Sequence, residues 1–172
     1  ELQEEIKQYQ PLFNGFYREE MGRKLGLSIL DSEFSELTQE MFQLLQSQQL
    51  DYSNFFRDLA NNPSAMDCSI ELRSWLDRYL KLCDRESISY DERKKKMNAV
   101  NPKYILRNHL VQRALEMALK ESDFSEVTRL RILLENPFKD RPEIFKKYNI
   151  DADFYSQDTP QEFLGSQTSC SA

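Results

Sequence analysis

The sequence is short of nearly everything that enzymatic chemistry is built from. It holds one histidine, His109, so neither a Ser-His-Asp or Cys-His arrangement nor a histidine-based metal site can be assembled with confidence. Four scattered glycines cannot make a loop that cradles phosphate. Together with six prolines they are also few for a β-sandwich or a loop-built enzyme. The three cysteines, Cys68, Cys83 and Cys170, are an odd number at no metal-like spacing, which speaks against a disulfide framework and for a reducing compartment. No run approaches the ~18 apolar residues of a membrane span, and no signal peptide is present, so a membrane partner and secretion are not expected. A net charge of -6 argues against nucleic acid, because phosphate binding needs clustered cations.

What is there is helical. The chain of 172 residues is 40% hydrophobic with eleven phenylalanines, enough for a real core. Apolar residues recur in steps of three or four almost throughout, and no alternating strand-like run of useful length occurs. The spacing predicts helices over about 2–25, 33–48, 52–61, 70–85, 90–99, 102–121 and 124–135, with a short turn or helix after Pro137. Pro11 should kink the first helix, since it lacks an N–H and crowds the preceding turn. Gly26 should stop it. Asp51, Ser69 and Ser89 read as N-caps, and Asn101-Pro102 as a strong start for the helix over 102–121. Residues 1–150 read as one helical region and 151–172 as an irregular polar tail. The fold class is all-α, an irregular multi-helix bundle.

Most charges alternate in sign along helix faces, the pattern of a solvated surface. The densest cationic run, Arg93-Lys94-Lys95-Lys96, reads first as an exposed face near a helix end. The segment "NPKYILRNHLVQRAL" is less ordinary. Arg107 and Asn108 fall beside an Ile105–Leu106–Leu110 apolar stripe, so at least one of them should be partly buried and need hydrogen-bond partners. Such a helix organises other segments.

That segment also carries a resemblance. "NPKYILRNHLVQRALEMA", with Asn101, Pro102, Leu106, Arg107, Asn108 and Gln112, resembles a segment near the end of the selenoprotein O family. "YQPLFNGFYREEMGRKLGL", "LDYSNFFRDL" and "ENPFKDRPE", the last holding Asn136 and Pro137, resemble further elements of that family in the same order. "TSCSA" resembles its terminal Ser-Cys-Ser-Ser. His109 departs from the Trp or Tyr frequent there, the "DADFYSQDT" stretch from the usual Pro-Pro-x-Trp, and Ala172 from Ser.

The resemblance implies a pseudokinase-fold protein adenylyltransferase. Such an enzyme transfers AMP from ATP to Ser, Thr or Tyr hydroxyls of protein substrates, with Mg²⁺ or Mn²⁺, in mitochondria or in the bacterial cytoplasm. Nothing in Glu1–Ala172 matches the family's catalytic motifs, so the resemblance carries over no catalytic, cofactor-binding or metal-binding residue. The chain is expected to be the C-terminal helical part of the kinase-like fold, partnered by the kinase-like domain and inactive alone. The start at Glu1 is read the same way. Cys170 is implied to be a redox-regulatory thiol whose partner lies outside this chain. The competing expectation is a stand-alone helical interaction module.

Overall fold

Four helices of the chain's first hundred residues begin where a short polar side chain takes the first free amides. Asp31 accepts from the Phe34 N–H at 3.0 Å, and Asp51 from Ser53 and Asn54 at 3.0 and 2.9 Å. Ser69 accepts from Leu72 at 3.0 Å and Ser89 from Glu92 at 3.3 Å. The protein, a computed structural model, is described over residues 2–66 and 69–163, with side chains from residue 9 onward. Its helices are α1 (Leu2–Leu25), α2 (Ser32–Ser47), α3 (Tyr52–Asn61), α4 (Ile70–Asp84) and α5 (Tyr90–Val100). They continue as α6 (Asn108–Glu121), α7 (Ser125–Glu135), α8 (Pro142–Tyr148) and α9 (Ala152–Ser156). Single 3₁₀ turns lie at Pro63–Ala65 and Gln161–Phe163, and no strand occurs among the described residues. The fold is all-α, as the periodicity predicts.

The chain divides into two compact units, Glu1–Asn101 and Pro102–Ala172, where the sequence pattern predicted one helical region to residue 150. In the first, Leu37 and Met41 of α2, Phe56 and Leu59 of α3 and Leu72 and Trp75 of α4 close over one core. Trp75 lies flat on Tyr79 at 5.6 Å, and its Nε1–H donates to the Leu37 carbonyl at 2.8 Å, so the buried indole leaves no polar atom unmet. In the second, Tyr104, Leu110, Leu130, Leu133, Phe145 and Tyr155 form a smaller core.

Several expectations are corrected. Asn101-Pro102 starts no helix, and α6 begins only at Asn108. Asn101 instead ends α5: its N–H donates to Met97 O at 2.9 Å, and its backbone is extended (φ -101°, ψ 110°), as a following proline favours. Its side chain is spent on another helix and cannot cap this one. Lys103 and Tyr104 then both donate to Pro137 O, at 2.7 and 3.0 Å, so the amides that would have opened a helix hold two Asn-Pro segments together. Leu106, placed in the core stripe by its spacing, is exposed. α1 runs through Pro11 without a break. Arg93, the first residue of the cationic run, is buried. The stretch after Asp151 also packs: α9 forms there, capped by Asp151, and buries Tyr155.

Candidate functional site

Three carbonyls at the end of α1 organise the first unit. Gly26 takes φ +66°, the left-handed turn that terminates a helix, and leaves the last carbonyls without helical partners. Side chains from later helices take them. Asn101 Nδ2 donates to Lys24 O at 2.8 Å, the Tyr79 hydroxyl to Leu25 O at 2.8 Å, and Arg93 to Gly26 O. Arg93 also donates to Cys83 O at 2.9 Å and pairs with Glu86 at 3.0 Å, both side chains being more than nine-tenths buried. Glu86 in turn accepts from the Ser28 and Ile29 amides, at 2.5 and 2.9 Å. Burial opposes ionisation of Glu86, but those two amides and the Arg93 guanidinium outweigh it and hold the carboxyl below its ordinary value. Burial pushes the Tyr79 hydroxyl far up, and likewise raises the Cys83 thiol, which is therefore a poor nucleophile.

The second unit has its own buried charge. Glu126 has no exposed surface and accepts from the Tyr155 hydroxyl at 2.9 Å and from Arg129 at 3.0 Å, with Arg113 Nε at 3.5 Å. Burial and the Glu126 carboxylate push Tyr155 up to about 12. Arg107 is buried and its Nη1 donates to Thr159 Oγ1 at 3.3 Å. His109 lies against the Phe163 ring, centroids 5.5 Å apart.

Of the residues singled out in the sequence, Asn101 is fully buried and Arg107 nearly so, whereas Leu106, Asn108 and Gln112 are exposed. Gln112 bonds Glu116 on its own helix. Asn136 ends α7, and Pro137 supplies the carbonyl that receives Lys103 and Tyr104. Pro102 is the first residue of the second unit. Cys170 lies outside the described residues, as does Cys68. Sequence reasoning missed Arg93, Glu86 and Glu126. The signal was available for two of them: Arg93 stands four residues before buried Met97, and Glu126 four before buried Leu130, so each shares its helix's inward face.

The other unforeseen feature is a bare aromatic surface. Tyr9, Phe13 and Tyr17 stack along α1 with centroids 6.0 and 6.1 Å apart, and Leu12 and Phe16 flank them. All five are exposed, Phe16 at 66%. The periodicity of α1 predicts an apolar face, and only its last turns, from Met21 to Leu25, find a core. Near the end of α1, Lys24 lies over the rings of Tyr52 and Phe56, at 5.2 and 4.5 Å. Among the described residues, no three His, Cys, Asp or Glu side chains could together hold a metal ion.

Comparison with known proteins defines the class first. A relative from Vibrio atlanticus (strain LGP32), named a protein nucleotidyltransferase, YdiU, is 37% identical over 151 residues, covering 83% of this chain and 31% of its own length. The protein of the same name from Pseudomonas putida (strain GB-1) is 38% identical over 150 residues, covering 82% of the chain and 31% of its own length. That from Aliivibrio salmonicida (strain LFI1238) is 36% identical over 156 residues, covering 86% and 32%. The family described as "Protein adenylyltransferase SelO" matches residues 1–135. The chain belongs to this SelO family of protein nucleotidyltransferases. It spans about a third of the length of the curated relatives it matches.

Proposed function

We propose that this chain is the C-terminal helical portion of a SelO-type protein adenylyltransferase, and that it supports the kinase-like domain without contributing to chemistry. ATP with Mg²⁺ or Mn²⁺ would bind to that domain, which would transfer AMP to Ser, Thr or Tyr hydroxyls of protein substrates. In a bacterial host, like those of the relatives above, the enzyme would work in the cytoplasm, and in a eukaryote in mitochondria. No helix among the described residues is long and apolar enough to cross a membrane. Cys170 would be a redox-regulatory thiol paired with a cysteine outside this chain.

The observation that carries the reading is the aromatic ladder of α1. Five large apolar side chains in one continuous exposed row are more than a monomeric surface ordinarily shows, and such rows mark interfaces. Their occupant in this reading is the part of the family's polypeptide that this chain does not span. The test is AMP incorporation from labelled ATP. The full-length protein is expected to label itself or an added protein substrate, and residues 1–172 alone to label nothing. Transfer by the isolated chain would overturn the reading. A soluble, cooperatively unfolding chain 1–172, encoded with no nucleotide-binding domain, would favour the stand-alone interaction module.

A further inference from the structure

In the first unit α2 lies on α4 and α3 on α5, and a cavity of about 150 Å³ opens between α3, α4 and α5. Leu59 and Ala60 of α3, Leu80 of α4 and Met97 of α5 make its walls apolar. Those walls are held in place. The Tyr90 hydroxyl donates to Asn61 O at 2.8 Å, tying the start of α5 to the end of α3, and Arg93 ties α5 to Cys83 O of α4 at 2.9 Å. A space of this size bounded by aliphatic groups admits one benzene-sized ring. Two charges of opposite sign, Asp84 and Lys94, line the same cavity. Asp84 is exposed and Lys94 half-buried, so both stand at its open side. Among the described residues neither side chain makes an ion pair, with the other or with a neighbour. Asp84 is the last residue of α4, where free carbonyls disfavour a carboxylate, so helix stability gives that position no reason to be acidic.

We propose that this cavity binds a free α-amino acid with an apolar side chain, its ammonium facing Asp84 and its carboxylate facing Lys94. Phenylalanine is the member whose ring matches the chamber. The complementarity is of shape and charge together: an apolar body for the walls, and one head that carries both signs for the rim. A peptide terminus carries only one of the two charges and is the poorer ligand. The site also divides the cationic run by role, since Arg93 points inward and fixes a wall while Lys94 reads the ligand's carboxylate. Water-exposed rim pairs each contribute little, so the buried ring sets a dissociation constant on the order of 1 mM, and the charges set which head is accepted. Cys83, a free and half-buried thiol, lines the same cavity and reports on its occupancy. The proposal stands on the first unit alone and is independent of the adenylyltransferase reading.

The experiment titrates the full-length protein with L-phenylalanine, N-acetylphenylalanine and phenylalanine amide by ligand-observed NMR, and follows Cys83 alkylation by iodoacetamide with peptide mass spectrometry. Phenylalanine is expected to bind saturably and to slow alkylation of Cys83. The two derivatives, each lacking one charge, should bind about threefold more weakly. Lys94→Gln should weaken phenylalanine and N-acetylphenylalanine by the same factor and leave the amide unchanged. Asp84→Asn should weaken phenylalanine and the amide and leave N-acetylphenylalanine unchanged. Leu80→Trp obstructs the opening from a position 42% exposed, where a larger side chain is tolerated, and should abolish binding. No saturable binding of phenylalanine up to about 20 mM would overturn the proposal, since the site would then be empty at twenty times its expected dissociation constant. Binding that survives Leu80→Trp would also overturn it, by placing the amino acid elsewhere. Equal affinities for all three ligands in the parent and both charge variants would overturn the roles of Asp84 and Lys94.

Discussion

Glu86 shows how much one carboxylate can organise when its charge is fully used. It receives two backbone amides and a guanidinium, and with them ties the segment after α1 to α5. Removing it leaves Arg93 buried without its counter-charge, so Glu86→Gln is expected to cost about 3 kcal/mol at neutral pH in urea unfolding. The pH dependence follows from the direction of its shift. Folded Glu86 ionises below its ordinary 4.5, so the unfolded chain binds the proton more readily. Its contribution is therefore complete above about pH 5 and drains away as acid titrates the folded carboxyl. The parent should lose stability between pH 5 and pH 3 more steeply than Glu86→Gln, whose curve should be flatter by one group. Parallel curves would show that Glu86 carries no such role.

At the scale of the helix, the end of α1 depends on a residue that is nearly all backbone. A Cβ on Gly26 would stand 2.7 Å from Arg93 Cγ and 2.8 Å from Met97 Cγ, in a conformation that side chains resist. Gly26→Ala should therefore destabilise the protein by at least about 2 kcal/mol, combining left-handed strain with a clash against two packed side chains. Thermal unfolding checks it, and an unchanged midpoint would contradict the geometry. The helix scale is also where the sequence was most and least legible. Asp51, Ser69 and Ser89 were readable as caps because each meets an amide two or three residues away. Asn101-Pro102 has the same local signature and misleads, because its amide nitrogen answers a carbonyl 77 positions earlier. Arg107 was rightly placed among the residues needing partners, yet Thr159 and Phe163 lay in a stretch with no periodicity to announce packing. The α1 ladder was legible as apolar, and its exposure was not, since periodicity reports a face without reporting what covers it.

For the whole molecule, the decisive contrast is between closed cores and one open face. Each unit buries its own cluster, while Tyr9, Leu12, Phe13, Phe16 and Tyr17 stay exposed and belong to neither. If the remainder of the enzyme sits there, Phe13→Ser with Phe16→Ser should behave differently in the two contexts. In residues 1–172 alone the pair should leave the unfolding midpoint within about 0.5 kcal/mol of the parent, as surface changes do, and should reduce self-association. In the full-length protein the same pair should cost about 4 kcal/mol or more, the loss of two buried aromatic contacts. Equal effects in both would place the partner elsewhere.

The three carbonyls at the end of α1 also set a clock. Their donors arrive 54, 67 and 77 positions later in the chain, on α4 and at the two ends of α5. A growing or refolding polypeptide cannot complete the end of α1 until almost the whole first unit exists. Contacts so distant along the sequence close late and slow the approach to the native state. Once closed, they couple α1, α4 and α5 into a single event, so α1, made before α4 and α5, is finished only with them.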